Sequence, residues 1–145
     1  MKQRIEHHIP ISADRFWSSL FFSPQYVQEE HIEGLSCQEY RVIEESSGPP
    51  NYNRTLFSVP PLNIPKSLQK VVGNRIGYTE KGFFDTKKQQ YHFTLTPTIF
   101  PSKISIHGFY FIETINESTI NRVCELDSSV SIFAVGKKME EAIAQ

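Results

Sequence analysis

The chain has 145 residues, 39% hydrophobic and 21% charged, which suits one globular domain and excludes a disordered or fibrous chain. Fifteen lysines and arginines against sixteen aspartates and glutamates leave a formal charge of −1, so no basic excess exists to neutralise phosphates and nucleic acid is not an expected partner. No apolar run approaches the roughly 20 residues that span a bilayer, and the N-terminus turns to Glu6-His7-His8 where a signal peptide would carry its apolar core.

Residues 2–11 alternate. Ile5, His7, Ile9 and Ile11 fall on one face and Arg4, Glu6 and His8 on the other, the period of a half-buried strand. Ser12 is a good N-cap, Asp14 sits where the helix dipole favours a negative charge, and Phe16, Trp17, Leu20 and Phe21 follow at helical spacing. That helix should stop before Pro24, which pushes Ser23 out of the α region. Pro24 can itself open a second short helix running to about His31, with Gly34 ending it.

From Leu35 the pattern is β. Residues 37–45 place Tyr40 and Val42 on one face, residues 46–50 close a turn, and residues 52–59 form the next strand. The run from Pro60 to Pro65 cannot be a central strand. Residues 66–72 read as a short helix with Leu68, Val71 and Val72 on its buried face, ended by Gly73. Strands are expected at 75–84, 89–96, 103–113 and 120–132, joined by short turns as an antiparallel meander. Val135, Met139, Ala142 and Ile143 lie at helical spacing and open an amphipathic helix. A bent antiparallel sheet has one wet and one buried face, and this helix is the long element left to cover the buried one. The expected class is α+β in a single domain, residues 1–145.

That order resembles the START-like superfamily, also called SRPBCC or helix-grip proteins, which includes lipid-transfer domains, pollen-allergen relatives and polyketide cyclases. The stretches that carry the resemblance are Ile9 to Trp17, Leu20 to Tyr26, Leu62 to Gly73 followed by Tyr78 to Gly82, and Val135 to Glu141. Together they are most similar to an uncharacterised bacterial branch. The resemblance implies a curved sheet wrapped around the C-terminal helix and an apolar pocket between them. Residues 135–145 make a shorter gripping helix than such domains usually have, so either the chain is truncated there or the pocket is less completely covered. The implied partner is a hydrophobic small molecule or lipid, which is bound, carried or sensed. A polyketide cyclase/dehydratase-like enzyme and a ligand-free regulatory domain of the same fold stay open as alternatives, since fold alone does not separate them.

The residues expected to line the pocket are Tyr40, Val42, Phe57, Tyr78, Tyr91, Phe93, Leu95, Ile104, Ile106, Tyr110, Val135 and Met139. No nucleophile motif, phosphate loop or Ser/His/Asp order is present, so no catalytic residue and no cofactor is assigned. Glu80 alternates with Tyr78 and Phe84, which would aim it into the pocket as an acid or base. A slip of one residue puts it in solvent, and solvent is the expectation. Convergent polar groups would have to come from Glu80, Tyr40, Tyr91 and Tyr110. His92 and His107 stand opposite each other if the hairpin turns near Ile99 and Phe100, but two imidazoles without a third ligand do not make a zinc site, and no metal is expected. Beyond Gly108 a bulge would turn Phe109 and Phe111 inward. Cys37 and Cys124 lack metal-site spacing and form no disulfide framework, which fits a reduced, cytoplasmic setting.

Overall fold

Seven strands of alternating polarity pair antiparallel into one sheet in the computed structural model, which describes residues 1–46 and 52–131. The strands are β1 (Lys2–Ile9), β2 (Glu39–Glu45), β3 (Asn53–Val59), β4 (Tyr78–Asp85), β5 (Gln90–Pro97), β6 (Ile104–Asn116) and β7 (Thr119–Val130). Their order across the sheet is β1-β7-β6-β5-β4-β3-β2, a meander whose last strand takes the first as its outer neighbour. The C-terminal helix expected from Val135, Met139, Ala142 and Ile143, and the turn at 47–50, lie outside the described residues.

Two helical segments follow β1. The first, α1 (Ala13–Arg15), continues as a π-helical turn over Phe16–Leu20; the second, α2 (Pro24–Glu29), continues likewise over Glu30–Gly34. Ser12 and Ser23 cap them, each hydroxyl accepting from a backbone N–H three residues on, and Pro24 opens α2 as its ring predicts. Between β3 and β4 stands α3 (Lys66–Val72), closed by Gly73 at φ 78°, a left-handed conformation that glycine adopts without a Cβ penalty.

Directly opposed residues in an antiparallel ladder share a face, so the register sorts every side chain. One inner row reads Val42, Leu56, Glu80, Leu95, Ile106 and Ser128. The next reads Arg54, Gly82, Phe93, Gly108, Leu126 and Gln3. A third reads Phe84, Tyr91, Tyr110, Cys124 and Ile5. The pairing of β6 with β7 runs unbroken from Ile104 to Thr114, and its irregularity falls between Thr114 and Asn116. No bulge therefore occurs at Gly108. Phe109 and Phe111 point outward, where Phe109 lies 5.5 Å from His92 and 5.8 Å from Phe111, ring to ring. These two half-buried aromatics are sheltered on the outer face by each other, by His92 and by Arg4, not by the core.

Glycine matters most at Gly82. The Tyr91 ring starts opposite Phe84 and runs along β4, and its hydroxyl passes through the space a side chain on Gly82 would fill. Gly82→Ala should therefore destabilise the protein by about 1–3 kcal/mol through overpacking, measured by urea unfolding. An unchanged midpoint would show that the Tyr91 phenol does not lie across that position.

Candidate functional site

Two apolar clusters cover the concave face at its two ends. Phe16, Trp17 and Phe21, from the first helical segment, pack on Tyr52, Phe84, Tyr91 and Phe93. Ile64, Leu68 and Ile76, from α3 and its flanks, pack with Tyr78, Ile104 and Ile106. Leu95 and Leu126 are half-buried and touch both clusters. They mark the middle of the face, and this is the candidate site.

A polar group is set into its wall. Arg54 Nε donates to Glu80 Oε2 at 2.9 Å, and the Tyr91 hydroxyl donates to the same oxygen at 2.8 Å. The side chains of Arg54 and Glu80 are 3% and 12% exposed. The guanidinium stands 4.5 Å from the Tyr91 ring centre and 5.3 Å from that of Phe21, a cation against two neighbouring aromatic rings. Burial works against the Arg54 charge, but Glu80, Tyr91 and Tyr52 around it hold its pKa well above the ordinary value. Its Nη1 is buried without a hydrogen-bond partner. Leaving a buried donor unpaired costs about 1–3 kcal/mol, more when it is charged.

A second buried cation fixes the cover. Arg122, on the inner face of β7, donates through Nη1 to Glu30 Oε1 and to the Tyr26 hydroxyl, both at 2.7 Å, and lies over the Tyr110 ring. The bond to Tyr26 ties α2 to the sheet, and the bond to Glu30 ties the π-turn that follows it.

Tyr78, Tyr91, Phe93, Leu95, Ile104, Ile106 and Tyr110 all stand on the concave side. Tyr40 and Val42 share that phase, but β2 is an edge strand. The Tyr40 ring lies tilted against His31, centres 5.0 Å apart, and Val42 is 44% exposed, outside both clusters. Phe57 is a correction: alternation from Leu56 puts it on the outer face, where the Arg41 guanidinium lies 4.8 Å from its ring. Val135 and Met139 lie outside the described residues.

Glu80 is a second correction. It sits opposite Leu56 and Leu95 on the inner face, not in solvent, because Arg54 supplies the opposite charge that makes its burial tolerable. His92 faces Phe109 and His107 faces Thr94, since the hairpin turns about Phe100 and Pro101, with Phe100 at φ 45°. The two histidines are not opposed, and among the described residues no three His, Cys, Asp or Glu side chains gather as metal ligands.

Sequence reasoning missed Arg54, Arg122 and Gly82. The signal was a charged residue in phase with apolar ones: Tyr52, Arg54 and Leu56 running into β3 and Ile120, Arg122 and Cys124 on β7. Neither position reveals its counter-ion, which arrives from another strand or helix.

The family model that matches the chain over residues 4–145 is described as a protein of unknown function, DUF2505. Among curated proteins none matches the sequence. A START superfamily protein from Mycobacterium smegmatis superimposes with TM-score 0.62 at 11% identity, covering 98% of this chain and 86% of that one. The Zhui aromatase/cyclase from Streptomyces sp. R1128 gives 0.58 at 12% identity, covering 90% and 69%. Ginseng major latex-like protein 151 from Panax ginseng gives 0.50 at 12% identity, covering 88% and 80%. At these identities the likeness concerns the fold, which is START-like and of helix-grip type.

Removing Arg54 alone strands Glu80 in the wall. Arg54→Met should cost about 3–5 kcal/mol, and Arg54→Met with Glu80→Gln should be more stable than the single variant in denaturant unfolding. A double variant no better than the single would mean that Glu80 is hydrated. A second test uses pH. All six tyrosines, Tyr26, Tyr40, Tyr52, Tyr78, Tyr91 and Tyr110, are pushed upward, first by burial, with Tyr52 and Tyr78 at about 12. A group whose folded pKa is raised contributes stability that is fully present below its unfolded value and lost as pH climbs through the folded one. Stability should hold to about pH 10, the ordinary tyrosine value, and then fall. Phenolate absorbance should appear with unfolding; gradual ionisation near that pH in an intact fold would show that the rings are wet.

Proposed function

The chain belongs to DUF2505, a family of unknown function, and we propose that it binds a largely apolar small molecule or lipid on the concave face. The binding space lies between the strands carrying Tyr91, Phe93, Leu95 and Ile106 and the helix expected from Val135. The observation that carries the reading is the middle of the concave face, where, among the described residues, Leu95 and Leu126 touch both apolar clusters and stay half-buried. Small-molecule sites are concave, mostly apolar and supplied with a few polar groups. Here the polar groups are Arg54, Glu80 and Tyr91, held by hydrogen bonds within the wall.

The same convergence favours one second reading, a cyclase-like enzyme, with Arg54 polarising a carbonyl and Tyr91 as the protonated partner. Binding is preferred because Tyr91 and Glu80 are already bonded to each other. Two buried free cysteines, Cys37 and Cys124, support a reduced cytoplasmic setting, and among the described residues no helix is long and apolar enough to cross a membrane.

Pyrene, titrated by fluorescence, should bind the wild type, and Leu95→Trp should weaken it by about tenfold or more by filling the gap. The melting temperature should hold, since Leu95 is half-buried. Absence of pyrene binding by the wild type would favour the ligand-free reading, and equal binding by Leu95→Trp would move the site elsewhere.

A further inference from the structure

Arg54 carries five N–H donors in a rigid fork. Its Nε is used by Glu80, and the rings of Tyr91 and Phe21, whose centres lie 5.1 Å apart, pack against it from one side. Nη1 is the donor nitrogen shut away from solvent with no partner. Gly82 lies directly opposite Arg54 and leaves the adjoining position on β4 without a side chain, so the Tyr91 phenol reaches Glu80 there. The arrangement holds the guanidinium in one orientation with part of its fork unspent. Charge decides what that part can accept. Glu80 already balances Arg54 at 2.9 Å, and Glu45 is the direct cross-strand neighbour of Arg54 on β2. The nearest comparable cation on this face, Arg122, is committed to Glu30 at 2.7 Å. Around Arg54 the carboxylates outnumber the cation, so an incoming anion would meet repulsion as well as the cost of shedding its water.

Resting on the pocket reading, we propose that Arg54 Nη1 is the anchor of the binding site and selects apolar molecules that carry a neutral oxygen acceptor, a ketone, ester, amide or alcohol, over both plain hydrocarbons and free carboxylates. The neutral oxygen satisfies the stranded donor without adding charge, and the apolar body fills the space beside Leu95. Discrimination arises because a ligand lacking the acceptor leaves the donor buried and unpaired, the asymmetry by which built polar sites reject analogues that lack a hydrogen-bonding group.

Three fluorescent probes with one ring system test this: pyrene, 1-acetylpyrene and 1-pyrenecarboxylate. Wild-type protein should bind 1-acetylpyrene about tenfold or more tighter than pyrene, and 1-pyrenecarboxylate no tighter than pyrene. Arg54→Met with Glu80→Gln, which leaves no unpaired charge, should lose the preference for the ketone, read as the ratio of 1-acetylpyrene to pyrene affinity within that variant. Arg54→Lys, which keeps the charge but not the fork, should lose the preference as well and serves if the double variant does not fold. Equal binding of pyrene and 1-acetylpyrene by the wild type, or a ketone preference that survives in the variants, overturns the anchor while leaving the pocket standing. Tightest binding of the carboxylate overturns the charge argument and with it the proposal. Binding of none of the three overturns the pocket and the anchor together.

Discussion

Two opposite charges buried side by side in an aromatic wall constrain the concave face more than any apolar contact does. The register of β3 on β4 sets Arg54 opposite Gly82 and Glu80 opposite Leu56, so the two charges meet diagonally across the ladder on the inner side. Their attraction offsets a desolvation penalty of several kcal/mol per ion only if further hydrogen bonds and close packing assist. Tyr91 provides one such bond, and it reaches Glu80 because position 82 has no side chain. The rings of Tyr91 and Phe21 pack side by side against the guanidinium. Remove one of these supports and the pair becomes a liability.

The cover over the face follows from the same logic. Among the described residues, packing on the concave face falls into two apolar clusters. Arg122 secures one end by binding Glu30 and Tyr26, while Leu68 and Ile64 close the other. Leu95 and Leu126 are left between them. A gap of this kind is stable when something apolar lies over it, and the proposed ligand and the expected helix from Val135 are the two occupants of suitable chemistry.

The polar groups make this face more than a passive oily surface. Six tyrosines, all held protonated by burial, leave their hydroxyls as neutral hydrogen-bonding groups. With the charge of Arg54 already balanced, the site is polar without being ionic toward a newcomer. That combination is the basis of the proposed preference for an oxygenated apolar molecule over an anionic one, a distinction composition cannot express.

Strand periods, turn residues and caps were legible in the sequence, because they are set by neighbours in the chain: the alternation in β1, Ser12 before α1, Pro24 opening α2, Gly73 closing α3. The inward face of β5 followed from the same alternation, and so did the α+β order. The placement of Glu80, the pairing of His92 with Phe109 and the outward turn of Phe57 did not follow. Each depends on a register of hydrogen bonds to another strand, and a shift by one or two residues exchanges faces or partners at no cost visible in local sequence. Arg54 shows the limit most plainly. Its phase beside Leu56 was written in the chain, but a lone arginine in a strand becomes a buried functional group only when Glu80, Tyr91 and Phe21 are brought around it. Only the tertiary structure does that, because the energy of a buried charge belongs to its partners and not to its own position in the sequence.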